Sequence, residues 1–314
     1  MITDQETNFV YFSDLLPKRY PQFFQELQKI LEFREELLDK LFAARKKHPE
    51  SQFFKELKGM MLEHLEHKAI KCELLPHTND IWCRDYMPIQ IAENSFVQFK
   101  YDPTYLQPKK YRKTITDASE VCKSIGIKPM VSDTKIDGGN VVKSRTKVVM
   151  TDRIFKENPE YAKDALLKKI KALLKVKEVI VIPRCPGDPF GHADGMIRFV
   201  DGIADEETVL VSDFSKERPA FCAQFNQALA QAGLRPVVLP YTAWRNKGDN
   251  AKGIYINYLQ VSKTVFYPVY GIKEDKQAQE VFKRCFGNNI VPISANAIAK
   301  GGGVLNCASW NIRR

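Results

Sequence analysis

The sequence predicts an α/β fold, and three observations support this prediction. Four runs rich in Val, Ile and Tyr have the composition of β-strands, at residues 176–184, 207–214, 234–241 and 255–270. Segments with helical periodicity lie before, between and after these runs, at about 117–125, 160–175, 217–232 and 274–286. No linker rich in Pro, Gly and Ser divides the alternation, so we expect one α/β domain.

The N-terminal part has a different composition and a different apolar spacing. Residues 20–67 are rich in helix formers, and apolar residues such as Leu27 and Leu31 recur mostly at three- and four-residue spacing. A Pro-Glu-Ser break divides this segment into two expected amphipathic helices. We therefore predict a helical extension over residues 1–67, packed on a main domain over residues 68–314.

Neither a metal site nor a disulfide framework is predicted. His64 and His67 have a spacing that can hold a metal, but no third ligand is near them in sequence, which favours an exposed helix face. The seven cysteines are scattered, and none forms a C-x-x-C pair. The N-terminus lacks an apolar signal segment and no long apolar run is present. These features predict a cytoplasmic protein with no membrane span.

The net charge of +10 raises the question of nucleic-acid binding. The lysines are dispersed, however, and many lie in segments that resemble surface helices, such as "KDALLKKIKALLKVK". A solvated basic face is therefore the favoured interpretation, and no nucleic-acid partner is expected.

The informative polar residues gather in short motifs at junctions between predicted elements. The motifs are "HTNDIWCRDYMPIQ" with Trp82 and Asp85, "KIDGGNVV" with Asp137, "PFGHADGMIRFV" with His192 and Asp194, and "GGGVLNCASW" with Cys307. In an extended segment, residues two apart point to the same side, so His192 and Asp194 are expected to face one space together. An imidazole and a carboxylate that project jointly are typical of a catalytic site.

Together these motifs indicate cysteine nucleophile chemistry with a histidine acid/base. They contain no phosphate-binding loop, no dinucleotide fingerprint and no G-x-S-x-G elbow. The carboxylates exceed what a cysteine protease needs, which suggests a substrate that is cationic at the reacting carbon. A cysteine hydrolase acting on plain amides is less favoured, because an amide has no use for two such acids.

The motifs, in this order from residue 77 to the end, resemble those of agmatine deiminases and bacterial-type peptidylarginine deiminases, which modify guanidino groups. The resemblance implies a pentein fold, an α/β propeller of five pseudo-symmetric ββαβ-like units with the active site in its axial channel. Residues 68–314 would form this catalytic domain. Neither a metal nor a cofactor is expected.

The resemblance also implies a role for each motif residue and for Asn257, the asparagine of "YINYLQVSKTVFYP", which is a further matching segment. Four would be catalytic, the nucleophile Cys307, the acid/base His192, and the guanidinium-binding carboxylates Asp194 and Asp85. Three more would line or support the pocket, Trp82, Asp137 and Asn257. Gly302, in the middle of the Gly301–Gly303 run, is expected to let the backbone pass tightly beside the substrate channel.

The sequence departs from the family pattern at a few positions. "RDYMP" replaces the usual R-D-x-G-P, Asp137 stands where Glu is usual, and Asn306 precedes the nucleophile where His is common. These changes affect the pocket walls rather than the reacting groups, so they leave the substrate open.

The expected function is hydrolysis at a guanidino carbon, with release of ammonia and a ureido product from a small agmatine-like or arginine-derived substrate. Two alternatives stay open at this point. One is amidino transfer to an amine on the same fold, and the other is a non-catalytic basic module that binds RNA or the ribosome. A homo-oligomer is also left open.

Overall fold

The computed structural model describes residues 1–31, 70–200, 206–246 and 248–314. In these residues the strands are β1 (Phe9–Ser13), β2 (Lys71–Leu75), β3 (Ile89–Ala92), β4 (Ser95–Lys100), β5 (Met130–Lys135), β6 (Val142–Lys143), β7 (Lys147–Thr151), β8 (Glu178–Ile182), β9 (Ile197–Phe199), β10 (Thr208–Ser212), β11 (Arg235–Leu239), β12 (Leu259–Val261), β13 (Thr264–Val269), β14 (Ile290–Ser294) and β15 (Ser309–Ile312). The helices are Leu16–Arg19, 21–31, Cys83–Tyr86, Lys109–Arg112, Ala118–Ser124, Arg153–Glu157, Lys163–Leu174, Pro219–Gln231, Glu274–Phe286 and Asn296–Ala299. None of these helices is long and apolar enough to cross a membrane.

The strands form five three-stranded sheets with one repeated pattern. In four of them the strands are consecutive in the chain, and the middle strand is antiparallel to the first strand and parallel to the third. A parallel pair needs a crossover connection, and here each crossover carries one or more helices. The observed fold therefore confirms the predicted α/β class with five units.

The fifth sheet joins the two ends of the chain. Its middle strand, β1, is antiparallel to the C-terminal strand β15 and parallel to β2. This sheet has the same pattern as the other four, but its first strand comes from the end of the chain. The ring of sheets is thus closed by pairing Phe9–Ser13 with Ser309–Ile312.

The predicted helical extension over residues 1–67 is wrong for Phe9–Ser13, which is a strand. All five of its residues are buried, so it shows no apolar–polar alternation that would mark it in the sequence. The predicted boundary after residue 67 falls in the crossover from β1 to β2. Residues 32–69, with His64 and His67, lie outside the described residues, so the division into extension and main domain stays a prediction.

The strand-like runs and helices predicted beyond residue 70 are confirmed. The four strand-like runs contain β8, β10, β11 and the pair β12 and β13. The four expected helices are present as Ala118–Ser124, Lys163–Leu174, Pro219–Gln231 and Glu274–Phe286.

Helix Lys163–Leu174 illustrates how the elements pack on the core. Leu166, Ile170 and Leu174 recur every four residues and are fully buried. Lys168 and Lys171 of the same helix are exposed, which agrees with the solvated basic face expected there. The apolar stripe thus fixes the helix to the ring, while the basic face contributes to the positive charge of the surface.

We expect Trp310→Ala to destabilise the protein strongly, because Trp310 lies at the joint between the chain ends. Its ring is 2% exposed and stacks on Tyr11 with centroids 5.4 Å apart, and its Nε1 donates to Pro88 O at 2.8 Å. Replacing a buried aromatic side chain by alanine costs about 3–5 kcal/mol in the free energy of unfolding. Urea unfolding measures this loss.

The matched control is Tyr111→Ala, since Tyr111 is an aromatic residue with 41% exposure. Its effect on the free energy of unfolding should stay within about 0.5 kcal/mol. Equal effects of the two substitutions would contradict the importance assigned to ring closure.

Candidate active site

Every predicted site residue lies on a connection between two neighbouring sheets. The connections are β2–β3 with Trp82 and Asp85, β5–β6 with Asp137, β8–β9 with His192 and Asp194, β11–β12 with Asn257, and β14–β15 with Gly302 and Cys307. In each sheet the third strand runs with the middle strand and the first runs against it. A connection from a third strand to the next first strand therefore lies where the middle strand ends, and all five connections can meet at one end of the ring.

Three of these connections, β8–β9, β11–β12 and β14–β15, line a cavity of about 400 Å³. Five predicted residues line it, His192, Asp194, Asn257, Gly302 and Cys307. The other three, Trp82, Asp85 and Asp137, do not line the cavity but contact residues that do. The structure thus brings the sequence motifs together in two layers.

Cys307 is held by Asn257, whose amide contacts both the backbone and the sulfur. Asn257 Oδ1 accepts the backbone N–H groups of Val304 and Cys307, each at 3.2 Å. Its Nδ2 lies 3.1 Å from Cys307 Sγ and 3.1 Å from Asp194 Oδ2. The same side chain therefore fixes the turn that carries the thiol and directs the thiol towards the Asp194 carboxylate, 3.6 Å away.

The glycine run is required by close packing around this turn. A Cβ on Gly303 would lie 2.8 Å from the Trp82 indole and 3.0 Å from Cys307 Cβ. Gly302 has φ +99°, and a Cβ there would lie 3.3 Å from the Phe190 ring. Trp82 thus packs behind the backbone of the turn that carries Cys307, and glycine lets that backbone pass between the indole and the cavity.

His192 lies between two carboxylates. Its Nε2 is 2.9 Å from Asp137 Oδ2, and its Nδ1 is 3.5 Å from Asp85 Oδ1. Asp85 Oδ1 also accepts the Gly139 N–H at 3.0 Å. A Cβ on Gly139 would lie 2.5 Å from Asp85 Oδ1 and 2.7 Å from His192 Nδ1, which explains the second glycine of "DGGN".

The extended conformation expected for the segment that carries His192 and Asp194 is present at His192 but wrong after it. Ala193–Gly195 form a single 3-10 turn, so His192 and Asp194 are not alternate residues of a strand. Asn140 Oδ1 anchors this turn to β7 by accepting the N–H groups of Ala193 at 3.2 Å and Thr151 at 2.9 Å. Both side chains nevertheless line the cavity.

Each of the two predicted guanidinium-binding carboxylates has one oxygen without a hydrogen bond in the described part of the chain. Asp194 Oδ2 accepts Asn306 Nδ2 at 2.6 Å as well as Asn257 Nδ2, which leaves Oδ1. Asp85 uses Oδ1 for Gly139 and His192, which leaves Oδ2. The residues are 3% and 8% exposed, so these oxygens could serve a buried cationic ligand.

Burial and charge set the protonation of the site. Burial opposes the charged form of His192, but the charges of Asp85, Asp137 and Asp194 outweigh it and hold the pKa of the imidazole above its usual range. Burial raises the pKa of the Cys307 thiol well above its usual range, and Asp194 and Asp85 raise it further. Burial also raises the pKa of the Asp85 carboxyl, against the opposing charge of His192. At neutral pH the free site therefore pairs a thiol with an imidazolium.

Sequence reasoning gave no role to three residues that contact the predicted ones. Asn306 was noted only as a departure from the family pattern, yet its amide binds Asp194. Asn140 fixes the turn that follows His192. Its position in the turn motif "DGGN" was the sequence signal that could have indicated this role, because asparagine side chains often bond to backbone groups in turns. Tyr105, whose hydroxyl donates to Asp137 at 2.9 Å, lies in a crossover outside every motif, and nothing in the sequence marked it.

No group of three or more His, Cys, Asp or Glu side chains in the described ranges is arranged to hold a metal ion.

The chain matches known proteins over most of its length. It is 23% identical over 301 residues to a Selenomonas ruminantium protein provisionally named agmatine deiminase, covering 82% of this chain and 78% of that protein. A Listeria monocytogenes protein provisionally named agmatine deiminase 1 is 24% identical over 217 residues, which is 59% of each chain.

Solved structures support the fold. The agmatine deiminase of C. jejuni superposes with a TM-score of 0.70 at 18% identity, covering 100% of this chain and 95% of that chain. The agmatine deiminase of Enterococcus faecalis gives a TM-score of 0.67 at 18% identity, covering 100% of this chain and 95% of that chain. This likeness shows a common fold and confirms the pentein propeller.

The sequence match is more specific than the fold. Residues 22–312, which include every connection that carries a predicted site residue, match the family described as Porphyromonas-type peptidyl-arginine deiminase. The chain therefore belongs to the Porphyromonas-type peptidyl-arginine deiminase family and is a deiminase-like hydrolase of guanidino groups.

Proposed function

We propose that this protein hydrolyses a small guanidino compound, with Cys307 as nucleophile, and releases ammonia and a ureido product. The observation that carries the proposal is the buried cluster in which the Cys307 thiol, the His192 imidazole and the Asp194 carboxylate line one cavity. Family membership favours water as the final acceptor. It therefore favours hydrolysis over amidino transfer and over a non-catalytic binding module.

The carboxylates would hold the guanidinium before any bond changes. Resonance spreads the positive charge of a guanidinium over three nitrogens, which makes its carbon a poor electrophile. Two carboxylates can orient the planar group by charge-assisted hydrogen bonds. Asp194 Oδ1 and Asp85 Oδ2 are suited to this role because neither oxygen accepts a hydrogen bond from a described residue.

Attack follows when the bound cation lowers the pKa of the thiol. The positive charge compensates Asp194 and Asp85, whose charges oppose ionisation of Cys307 in the free protein. The thiol then releases its proton to water, and the resulting thiolate adds to the guanidinium carbon. His192 donates a proton to the departing nitrogen, which leaves as ammonia and yields an S-alkyl-thiouronium. Because Asp137 holds Nε2, the nitrogen available for this step is Nδ1.

Water completes the reaction in the same cavity. His192, now neutral, accepts a proton from water as the water oxygen adds to the thiouronium carbon. Breakage of the carbon–sulfur bond releases the ureido product and restores the thiol and the imidazolium. Each turnover thus uses His192 once as an acid and once as a base.

The outer end of the cavity favours a substrate with a second positive charge. Three carboxylate residues line it, Asp188, Glu217 and Asp249, against one lysine, Lys216. Asp188 and Glu217 are half-buried, and burial raises the pKa of Glu217. An aminoalkyl guanidine such as agmatine suits this lining better than arginine, whose carboxylate would face like charges. The solved relatives of C. jejuni and E. faecalis are named agmatine deiminases, which supports this choice.

Incubation of the protein with agmatine tests the proposed reaction. Equal amounts of ammonia and ureido product should form, and Cys307→Ala should form neither. Absence of turnover in the wild-type protein with agmatine, arginine and arginine-containing peptides would overturn the proposal.

Alkylation of Cys307 should depend on the charge of the reagent. In the free protein the thiol is protonated at neutral pH, so its reaction with neutral iodoacetamide should rise through the alkaline range. Cationic 2-chloroacetamidine should react at lower pH, because its charge offsets Asp194 and Asp85 and favours the thiolate. Mass spectrometry identifies the modified residue, with Cys307→Ala as control. Identical pH profiles for the two reagents would argue against activation by the substrate's charge.

Removal of either guanidinium-binding charge should impair catalysis. Loss of a buried charged hydrogen bond costs about 2–5 kcal/mol, so Asp194→Asn and Asp85→Asn should each lower kcat/KM on the order of 30-fold or more. Binding of the neutral ureido product should change much less. Asp133→Asn is the control, because its side chain is 74% exposed. Near wild-type turnover of agmatine by either variant would remove that residue from the guanidinium site.

The acidic outer end should decide between substrates with different tails. The double change Asp188→Asn with Glu217→Gln should lower kcat/KM for agmatine about 3- to 10-fold, the range expected for two half-exposed charge interactions. The value for butylguanidine, which lacks the amino group, should stay nearly constant. Lys216→Gln is the matched control and should shift the agmatine value upwards. Equal losses of kcat/KM for both substrates would show that Asp188 and Glu217 do not interact with the amino group of agmatine.

A further inference from the structure

Tyr105 reaches the acid/base histidine through Asp137. Its hydroxyl donates to Asp137 Oδ2 at 2.9 Å, and His192 Nε2 lies 2.9 Å from the same oxygen. The rings of Tyr105 and His192 are 6.1 Å apart. One carboxylate oxygen therefore accepts hydrogen bonds from both the phenol and the imidazolium.

The fold holds Tyr105 in this place from several sides. Tyr105 lies in the 3-10 turn Thr104–Leu106, and Glu157 binds the start of that turn through Thr104 N at 2.9 Å and Thr104 Oγ1 at 2.7 Å. Arg153 pairs with Glu157 at 2.8 Å and lies 5.0 Å above the Tyr105 ring. These contacts of Glu157 and Arg153 restrict the position of the Tyr105 ring and keep its hydroxyl close to Asp137.

We propose that Tyr105 is a positioning residue for His192. Its hydroxyl donates a hydrogen bond to the same Asp137 oxygen that contacts the imidazole, and this second hydrogen bond weakens the interaction of Asp137 with the proton on Nε2. This inference rests on the proposed deiminase function, in which His192 must give up a proton and take one back in each turnover. A carboxylate with a single donor would hold the imidazolium more firmly than one that is shared. The phenol thus keeps His192 able to act as a base.

The charged and titratable groups around this pair support the direction of the effect. Those facing His192 are Asp85, Asp137, Asp194 and Tyr105, and those facing Tyr105 are Asp137, Asp85, Tyr101 and Arg153. The three acids all stabilise the imidazolium, and burial is the opposing effect at His192. Asp137 makes the shortest contact with the imidazole, and the neutral hydroxyl of Tyr105 weakens the stabilisation that this carboxylate gives to the imidazolium.

Tyr105→Phe removes the hydroxyl and keeps the ring. The ring contact with Phe190, at a centroid distance of 5.2 Å, should therefore persist. Because Asp137 then has only His192 as a side-chain donor in the described residues, the imidazolium should become harder to deprotonate. The low-pH limb of the kcat profile, where His192 must be neutral to activate water, should move up by roughly one pH unit. At pH 7 kcat should fall by up to about tenfold, while KM for agmatine changes less than about twofold.

A second measurement is independent of turnover. In protein labelled with ¹⁵N-histidine, the Nε2–H proton resonance of His192 should move downfield in Tyr105→Phe, because its hydrogen bond to Asp137 becomes stronger. His192→Gln assigns this resonance among the five histidines. If the wild-type protein proved inactive on guanidines, the proposed function would fail, but this signal would still decide the role of Tyr105.

Tyr161→Phe is the matched control. It removes a tyrosine–aspartate hydrogen bond of the same kind, from Tyr161 Oη to Asp133 Oδ2 at 3.1 Å, away from His192. It should leave both the pH profile and the His192 resonance unchanged. An unchanged resonance in Tyr105→Phe, or a loss of activity without a shift of the acidic limb, would overturn the proposal.

Discussion

The active site depends on one interaction, the contact of the His192 imidazolium with buried carboxylates. Asp85, Asp137 and Asp194 lie together with little exposure, and three neighbouring negative charges are costly to bury unless a cation compensates them. His192 supplies that cation in the free protein, at 2.9 Å from Asp137 and 3.5 Å from Asp85. The same charges raise the pKa of the Cys307 thiol, so in the proposed reaction both the resting site and its activation by a cationic substrate follow from one balance of charge.

Uncharged donors complete this balance. Asn257 and Asn306 both donate to Asp194 Oδ2, the Gly139 N–H donates to Asp85 Oδ1, and the phenol of Tyr105 donates to Asp137. Each amide, backbone or phenol donor satisfies one oxygen without adding a formal charge that would compete with the guanidinium. Asn306 is informative here, because this chain departs from the family pattern at that position. An amide there orients Asp194 and adds no titratable group to the cavity.

The closed ring explains why the groups stay in register. Each sheet directs its connection to the next sheet towards the same end, and five connections thus supply the site. The turn that carries Cys307 comes directly before β15, the strand that completes the first sheet against β1. A backbone hydrogen bond from Arg84 N to Cys307 O, at 3.1 Å, joins this turn to the connection that carries Asp85. Disruption of the joint between the chain ends is therefore expected to reach the thiol as well as the fold.

The sequence by itself determined the α/β class, four of the helices, the positions of five of the strands and the class of reaction, because periodicity, turn residues and reactive groups are local properties. The glycines beside Cys307 also marked a place of close backbone approach, although their contact with Trp82 was not predicted. Only the tertiary structure decided that Phe9–Ser13 is a buried middle strand, that His192 precedes a 3-10 turn, and that Tyr105 reaches Asp137. These features rest on contacts between residues far apart in the chain, which no local pattern encodes.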